Sequence, residues 1–294
     1  MGMMDAMPNV GLVLSGGFAK GAYQIGVLKA MREFFGDEPV RNGPVRCISA
    51  SSIGSLNGYA FARNRLDVAE NMWRSLEYQG FRSFMKNYLG SPYITGAIRA
   101  MAGPSDIPQP CFYTTCFNMT KLKLNYINLK RVHPRHVKDY LRASVMLPVF
   151  TRAIEISGMK YVDGALVDNI PVRPLMRHPL DYAVVVHFDN DNYLFENDYF
   201  DSKLIKINFL DDKVIKNSLA FDRNSVSYMI GTGYEQSMTL FGMIFKNGID
   251  DLEYIYRKIR FLRDMRGKQK FRLTGDVVVN NINRVLKKVV HSKM

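Results

Sequence analysis

Apolar positions along the chain alternate between two rhythms. The run "VGLVL" at 10–14 ends in "SGG" and reads as a buried strand. It leads into "KGAYQIGVLKAMREFF", where Ile25, Leu28, Met31 and Phe35 recur at helical spacing. "VRCIS" predicts a second strand and "IGSLNGYAFARN" a second helix, so the chain opens as strand, loop, helix, strand, elbow, helix. After Pro110, "CFYTTCFNM" and "KLKLNYINL" predict a strand pair, and "HPRHVKDYLRASVML" a helix opened by Pro134. "AIEIS" and "KYVDGALVDN" bracket a turn at Gly158, while "YAVVVHF" and "LIKINFL" complete the strands. From about Ser225 the pattern is mainly helical. Such alternation predicts an α/β fold, a mainly parallel sheet with helices on both faces and a helical C-terminal cover. No internal repeat or low-complexity linker divides the 294 residues, and a hydrophobic content of 47% is enough for a full core. The expected organisation is one α/β domain over 8–220 with a basic helical region, 221–294, packed on it.

Charge adds a direction to this picture. The net charge is +13, and from Arg257 to Met294 twelve Lys or Arg face only Asp264 and Asp276. That asymmetry favours an anionic partner. No helix-turn-helix, zinc or RNA-reading motif accompanies it, which leaves an anionic membrane surface rather than nucleic acid. The competing reading is a solvated helix face, because Ile255, Ile259 and Leu262 fall at core-facing spacing with arginines opposite. A second segment, Tyr78 to Ser105, contains no Asp or Glu and is rich in aromatics, Met and basic residues. It suits either an interfacial lid or an ordinary packed insertion. The first positive charge is Lys20, beyond the first apolar run, and no apolar stretch reaches the roughly 18 to 20 residues of a membrane-spanning helix. A cytoplasmic protein, soluble or peripheral at a membrane, is expected. Cys47, Cys111 and Cys116, without nearby histidine pairs, read as reduced small hydrophobes rather than metal ligands.

Three short motifs carry candidate chemistry. In "VRCISASSIGSLNGYA" four serines, Ser49, Ser51, Ser52 and Ser55, crowd a strand-to-helix junction. A nucleophile elbow needs small residues two before and two after its serine, because strand and helix backbones nearly touch. Only Ser52, framed by Ala50 and Gly54, fits well. The loop "SGGFAKGAY" offers backbone amides at Gly16, Gly17 and Phe18 beside a helix N-terminus, which suits an oxyanion. A dinucleotide fingerprint would need glycine at Phe18, and a P-loop would need Lys-Ser/Thr after Gly21. In "YVDGALVDNIPV", Asp163 stands at a strand end before Gly164 and can act as base if its site is desolvated. Asp168 competes, although its neighbours Asn169 and Pro171 favour a turn. His187, at the end of "YAVVVHF", is the candidate for a serine–histidine–aspartate arrangement.

Taken in order, "SGGFAKGAYQIGVL", "ASSIGSLNG", "ASVMLPVF" and "VDGALVDNIPV" resemble the patatin-like phospholipase family over roughly Val10 to Val172. The resemblance implies a three-layer α/β sandwich with a Ser–Asp dyad, no metal and no cofactor, hydrolysing acyl esters of phospholipids or lysophospholipids. It assigns Ser52 as nucleophile, Asp163 as the dyad aspartate without a histidine, and Gly16 with Gly17 as the oxyanion loop. Lys20 stands where the family commonly has Arg or Lys. Two departures matter: Ala50 replaces the usual elbow glycine, and Phe18 replaces the third loop glycine. Ala165, where a second glycine is frequent, is a milder change. If Ala50 and Phe18 end catalysis, the alternative is a lipid- or partner-binding module on the same fold.

Overall fold

The computed structural model describes residues 7–76, 78–79, 92–103, 111–147, 152–188, 198–209 and 220–265. The first strand, β1 (Val10–Leu14), is wholly buried, and the glycine loop after it tightens into a 3-10 turn (Phe18–Lys20) before α1 (Gly21–Phe35). Strand β2 (Val45–Ala50) ends at the serine cluster, and α2 (Ile53–Ala62) starts directly beyond it. Helices α3 (Leu66–Ser75) and α4 (Pro92–Met101) follow, with the short β3 (Tyr78–Gln79) between them. Strands β4 (Cys111–Asn118) and β5 (Lys123–Asn128) form the expected antiparallel pair. Then come α5 (Pro134–Ala143), β6 (Ile154–Ile156), β7 (Met159–Asp163), β8 (Tyr182–His187), α6 (Asp198–Asp201) and β9 (Leu204–Asn208). The chain's C-terminal part contributes β10 (Ala220–Phe221), which pairs with β3, and helices α7 (Arg223–Ile244) and α8 (Leu252–Met265).

The main sheet has the order β6-β7-β4-β2-β1-β8-β9, with β5 on the other edge of β4's second half. Strands β4, β2, β1, β8 and β9 are parallel neighbours, and the antiparallel β5, β6 and β7 make the sheet mixed. Its largest core packs Leu12, Leu14, Ile48, Val184 and Val186 under α1, α2, α3 and α7. The opposite face buries Val13, Cys47, Ala183 and Val185 under Leu175 and Phe200.

The four predicted positions Ile25, Leu28, Met31 and Phe35 are all buried. Helix α1 lies so close to α7 that a Cβ on Gly26 would come within 2.1 Å of the Ile230 carbonyl oxygen. Sequence periodicity does not reveal α3 and α4 as separate helices. In the acid-free segment, α4 buries Ile94, Ala97, Ile98 and Met101 in the main core, as a packed insertion does, and 80–91 with 104–105 lie outside the described residues. In α8, Ile255 and Ile259 are buried while Arg257, Arg260 and Phe261 are exposed. The remainder of the basic region, 266–294, lies outside the described residues. No described helix is long and apolar enough to cross a membrane. All three cysteines are free thiols, Cys47 and Cys116 buried and Cys111 partly so.

Candidate active site

Strand register brings the site together. Ala50, the last residue of β2, pairs with Thr114 of β4, and Asp163, the last residue of β7, pairs with Cys116. Because β5 occupies the other edge of β4, β2 and β7 share one edge and run toward each other from opposite ends. The two strands stop two rungs apart. Ser52 and Asp163 emerge in the gap.

The backbone at Ser52 has φ +53° and ψ −133°, a region that a residue with a Cβ occupies only when its surroundings enforce it. The surroundings are backbone. The Ser51 N–H donates to the Leu14 carbonyl at 3.0 Å, and a Cβ on Gly54 would stand 2.6 Å from the same oxygen. Gly54 is therefore required where α2 crosses the end of β1. Ala50, in place of the family's glycine, fits fully buried in the main core.

The four serines separate by partner. Ser51 Oγ hydrogen-bonds Thr115 Oγ1 and the Asp168 carbonyl, and Ser55 Oγ pairs with Thr114 Oγ1 at 2.7 Å. Ser49 Oγ is buried inside the strand with no hydrogen-bond partner among the described residues. Ser52, 7% exposed, stands beside the Asp163 carboxyl, whose charged form it favours.

Asp163 is 1% exposed, and burial pushes its pKa up to about 7 against the smaller downward pulls of Ser52 and the Ala165 amide. The Ala165 N–H donates to Oδ1 at 2.8 Å. Oδ2 completes no well-formed hydrogen bond among the described residues, so Ser52 and Asp163 are apposed rather than locked. Gly164 is needed at the following turn, since a Cβ there would meet the Thr115 and Cys116 backbone at 2.9 to 3.0 Å.

Asp168 has a different occupation. Its Oδ2 accepts the Tyr126 hydroxyl, its Oδ1 accepts the Ile170 N–H at 3.2 Å, and its carbonyl holds Ser51. It is an Asx turn that ties the loop after β7 to the elbow. His187 is buried at the end of β8, across β1 from the elbow, and the groups that shift Asp163 include Ser52 but no histidine.

The glycine loop approaches from the other side. A Cβ on Gly16 would stand 2.9 Å from Ser52 Cβ and 2.6 Å from Asn169 Oδ1, so Gly16 acts by leaving room. Its N–H donates to the Asn169 carbonyl at 3.3 Å. Gly17 is kept small by the Phe188 ring, 2.3 Å from where its Cβ would stand. Phe18 has φ +50° and is 45% exposed, so its ring is turned to the rim rather than inward.

Sequence reasoning missed the support behind this loop. Gln24 Nε2 donates to the Ser15 carbonyl at 2.8 Å, Asn57 Nδ2 donates to Gln24 Oε1 and to the Gly21 carbonyl at 2.9 Å, and Trp73 Nε1 donates to Asn57 Oδ1 at 3.0 Å. All three side chains are fully buried. The signal was a polar residue set into the apolar face of each of two helices.

The sequence profile of the patatin-like phospholipase family matches residues 12–176. The chain is 28% identical over 209 residues to lysophospholipase NTE1 of Cryptococcus neoformans var. neoformans serotype D, covering 66% of this chain and 12% of that protein. It is 31% identical over 199 residues to lysophospholipase nte1 of Aspergillus terreus, covering 63% and 12%. It thus spans only about an eighth of the length of these relatives. Among solved structures, VipD from Legionella pneumophila superposes with a TM-score of 0.45 at 13% identity, over 80% of this chain and 67% of that one.

Proposed function

The chain belongs to the patatin-like phospholipase family, and from that premise we propose that it is a serine acyl hydrolase that cleaves phospholipid or lysophospholipid esters with Ser52 and Asp163. The observation that carries this reading is the pairing of a strained, small-framed serine with a buried carboxyl whose pKa is raised to about 7. In the ionised state Asp163 takes the Ser52 proton as Oγ attacks the ester carbonyl. A base near neutral pKa does this better than an ordinary carboxylate, because the proton it accepts is held more strongly. The developing oxyanion is stabilised by loop amides at Gly17 and Phe18, with Gly16 giving the approach, and by the N-terminal dipole of α2. Collapse of the tetrahedral species expels the alcohol, which leaves with a proton from Asp163. Water, deprotonated by the same carboxylate, then releases the fatty acid.

The outward Phe18 ring and the well-fitted Ala50 both favour an active enzyme over a binding module. An anionic membrane surface is the proposed setting, to which the net charge of +13 is suited. Incubation with mixed phospholipid vesicles, followed by mass spectrometry of the lipids, tests the function. Free fatty acid with the matching lyso or deacylated lipid is expected, and their absence would contradict it.

A further inference from the structure

Strand β4 does not stop where the site is. Its residue Thr114 is level with Ala50, yet it continues four residues to Asn118, about 13 Å further in the direction in which β2 presents Ser52. The turn joining β4 to β5, residues 119–122, therefore lies beyond the elbow on that side of the sheet, with the β6–β7 turn beside it. Its side chains are unusual for such a place. Leu122 is 78% exposed, the most of any large apolar side chain among the described residues, and Met119 is 43% exposed. Leu122 also has φ +48°, a conformation that Asn or Gly occupies more readily. A solvated turn would relieve both penalties by one substitution.

The β4–β5 turn is braced rather than loose. The Met119 N–H donates to the Lys160 carbonyl at 2.8 Å, the Lys160 N–H to Thr120 Oγ1 at 3.0 Å, and the Lys121 N–H to the buried Asn118 Oδ1 at 2.9 Å. Lys121, Lys123 and Lys160 are exposed around the apolar pair and form no ion pair among the described residues, although Glu155 is the register partner of Lys160. From Ile107 to Ile154 the sequence contains a single acid, Asp139.

We infer that the β4–β5 turn is a membrane-insertion tip, in which Met119 and Leu122 enter the acyl boundary of an anionic bilayer while Lys121 and Lys123 sit among its phosphates. The inference rests on the lipid hydrolase reading and adds the surface by which the chain meets the bilayer that holds its substrate.

The test uses the full chain and vesicles of phosphatidylcholine with and without phosphatidylserine. Trp73, the sole tryptophan, is buried, so a Met119→Trp variant reports on the tip alone. Its emission should shift to the blue with phosphatidylserine-containing vesicles. Leu122→Asn, which suits the left-handed backbone and should fold normally, should weaken partition roughly tenfold through lost apolar burial. It should leave turnover of a short-chain soluble ester unchanged. Absence of partition, a reporter that stays unshifted on vesicle-bound protein, or a Leu122→Asn variant that partitions like the parent would overturn the inference. The two readings fail separately. An unlabelled Ser52 with an inserting tip strikes the hydrolase alone, and an active enzyme with a dry tip strikes the tip alone.

Discussion

Ala50 and Asp163 end two strands that run toward each other along one edge of β4, two rungs apart, and this register is what sets Ser52 beside its carboxylate. The Ser52–Asp163 pair is thus a product of sheet topology, with neither residue positioned by a flexible loop of its own.

The serines can be told apart by substitution. Ser52→Ala should abolish turnover and leave thermal stability nearly unchanged, since its hydroxyl braces nothing. Ser51→Ala should retain a substantial fraction of activity but lose about 1–3 kcal/mol of stability, because it strips hydrogen bonds from Thr115 and the Asp168 carbonyl. Parallel esterase assays and thermal melts check both.

Asp163 links activity to pH. On the acid side, kcat/KM should rise through about pH 7 as the buried carboxyl ionises. For stability the sign is opposite. The folded carboxyl holds its proton up to about pH 7 while the unfolded one releases it near 3.8. Its contribution is complete below that lower value and is lost as pH rises through the upper one. Asp163→Asn should therefore be inactive yet more stable than the parent at pH 8, by an amount on the order of 4 kcal/mol at most. Urea midpoints at pH 4 and pH 8 measure it, and a variant less stable at pH 8 would contradict the burial argument.

How much of this was legible beforehand follows from which forces are local. The strand and helix patterns, the small-residue frame of Ser52 and the Asx-turn role of Asp168 are written in neighbours along the chain. The approach of Ser52 to Asp163 depends on β7 docking beyond the end of β2, a pairing between residues more than a hundred positions apart that no periodicity encodes. Helix α4 lies in the acid-free segment, whose composition suits a lid as well as a packed helix, and α3 follows α2 across Arg63, Asn64 and Arg65 with no Gly or Pro to mark the break. Gly16 was expected to donate its amide, but the structure spends that amide on Asn169 and uses the missing side chain instead. The Gln24–Asn57–Trp73 chain stayed invisible because its partners lie on three different helices.

That chain makes its own prediction. Gln24→Leu frees the Ser15 carbonyl and unpairs Asn57, so it should cost about 1–3 kcal/mol of stability. It should also lower kcat more than it raises KM, because the glycine loop loses the brace that aims its amides. Steady-state kinetics separates the two parameters.

Two glycines offer a contrast in backbone crowding. Gly54→Ala puts a methyl against the Leu14 and Ser15 carbonyl oxygens at 2.6 to 2.7 Å and should destroy both elbow and activity. Gly96→Ala, in α4 with open space around it, should stabilise by about 0.5–1 kcal/mol. Circular dichroism melts of the pair give the comparison.

The central claim is that Ser52 is an activated nucleophile, and the direct measurement is labelling with a fluorophosphonate followed by peptide mass spectrometry. The hydrolase reading predicts one adduct, on Ser52, with a rate that increases through about pH 7 and disappears in Asp163→Asn. An adduct on Ser51, or a chain that stays unlabelled at pH 8, would contradict it.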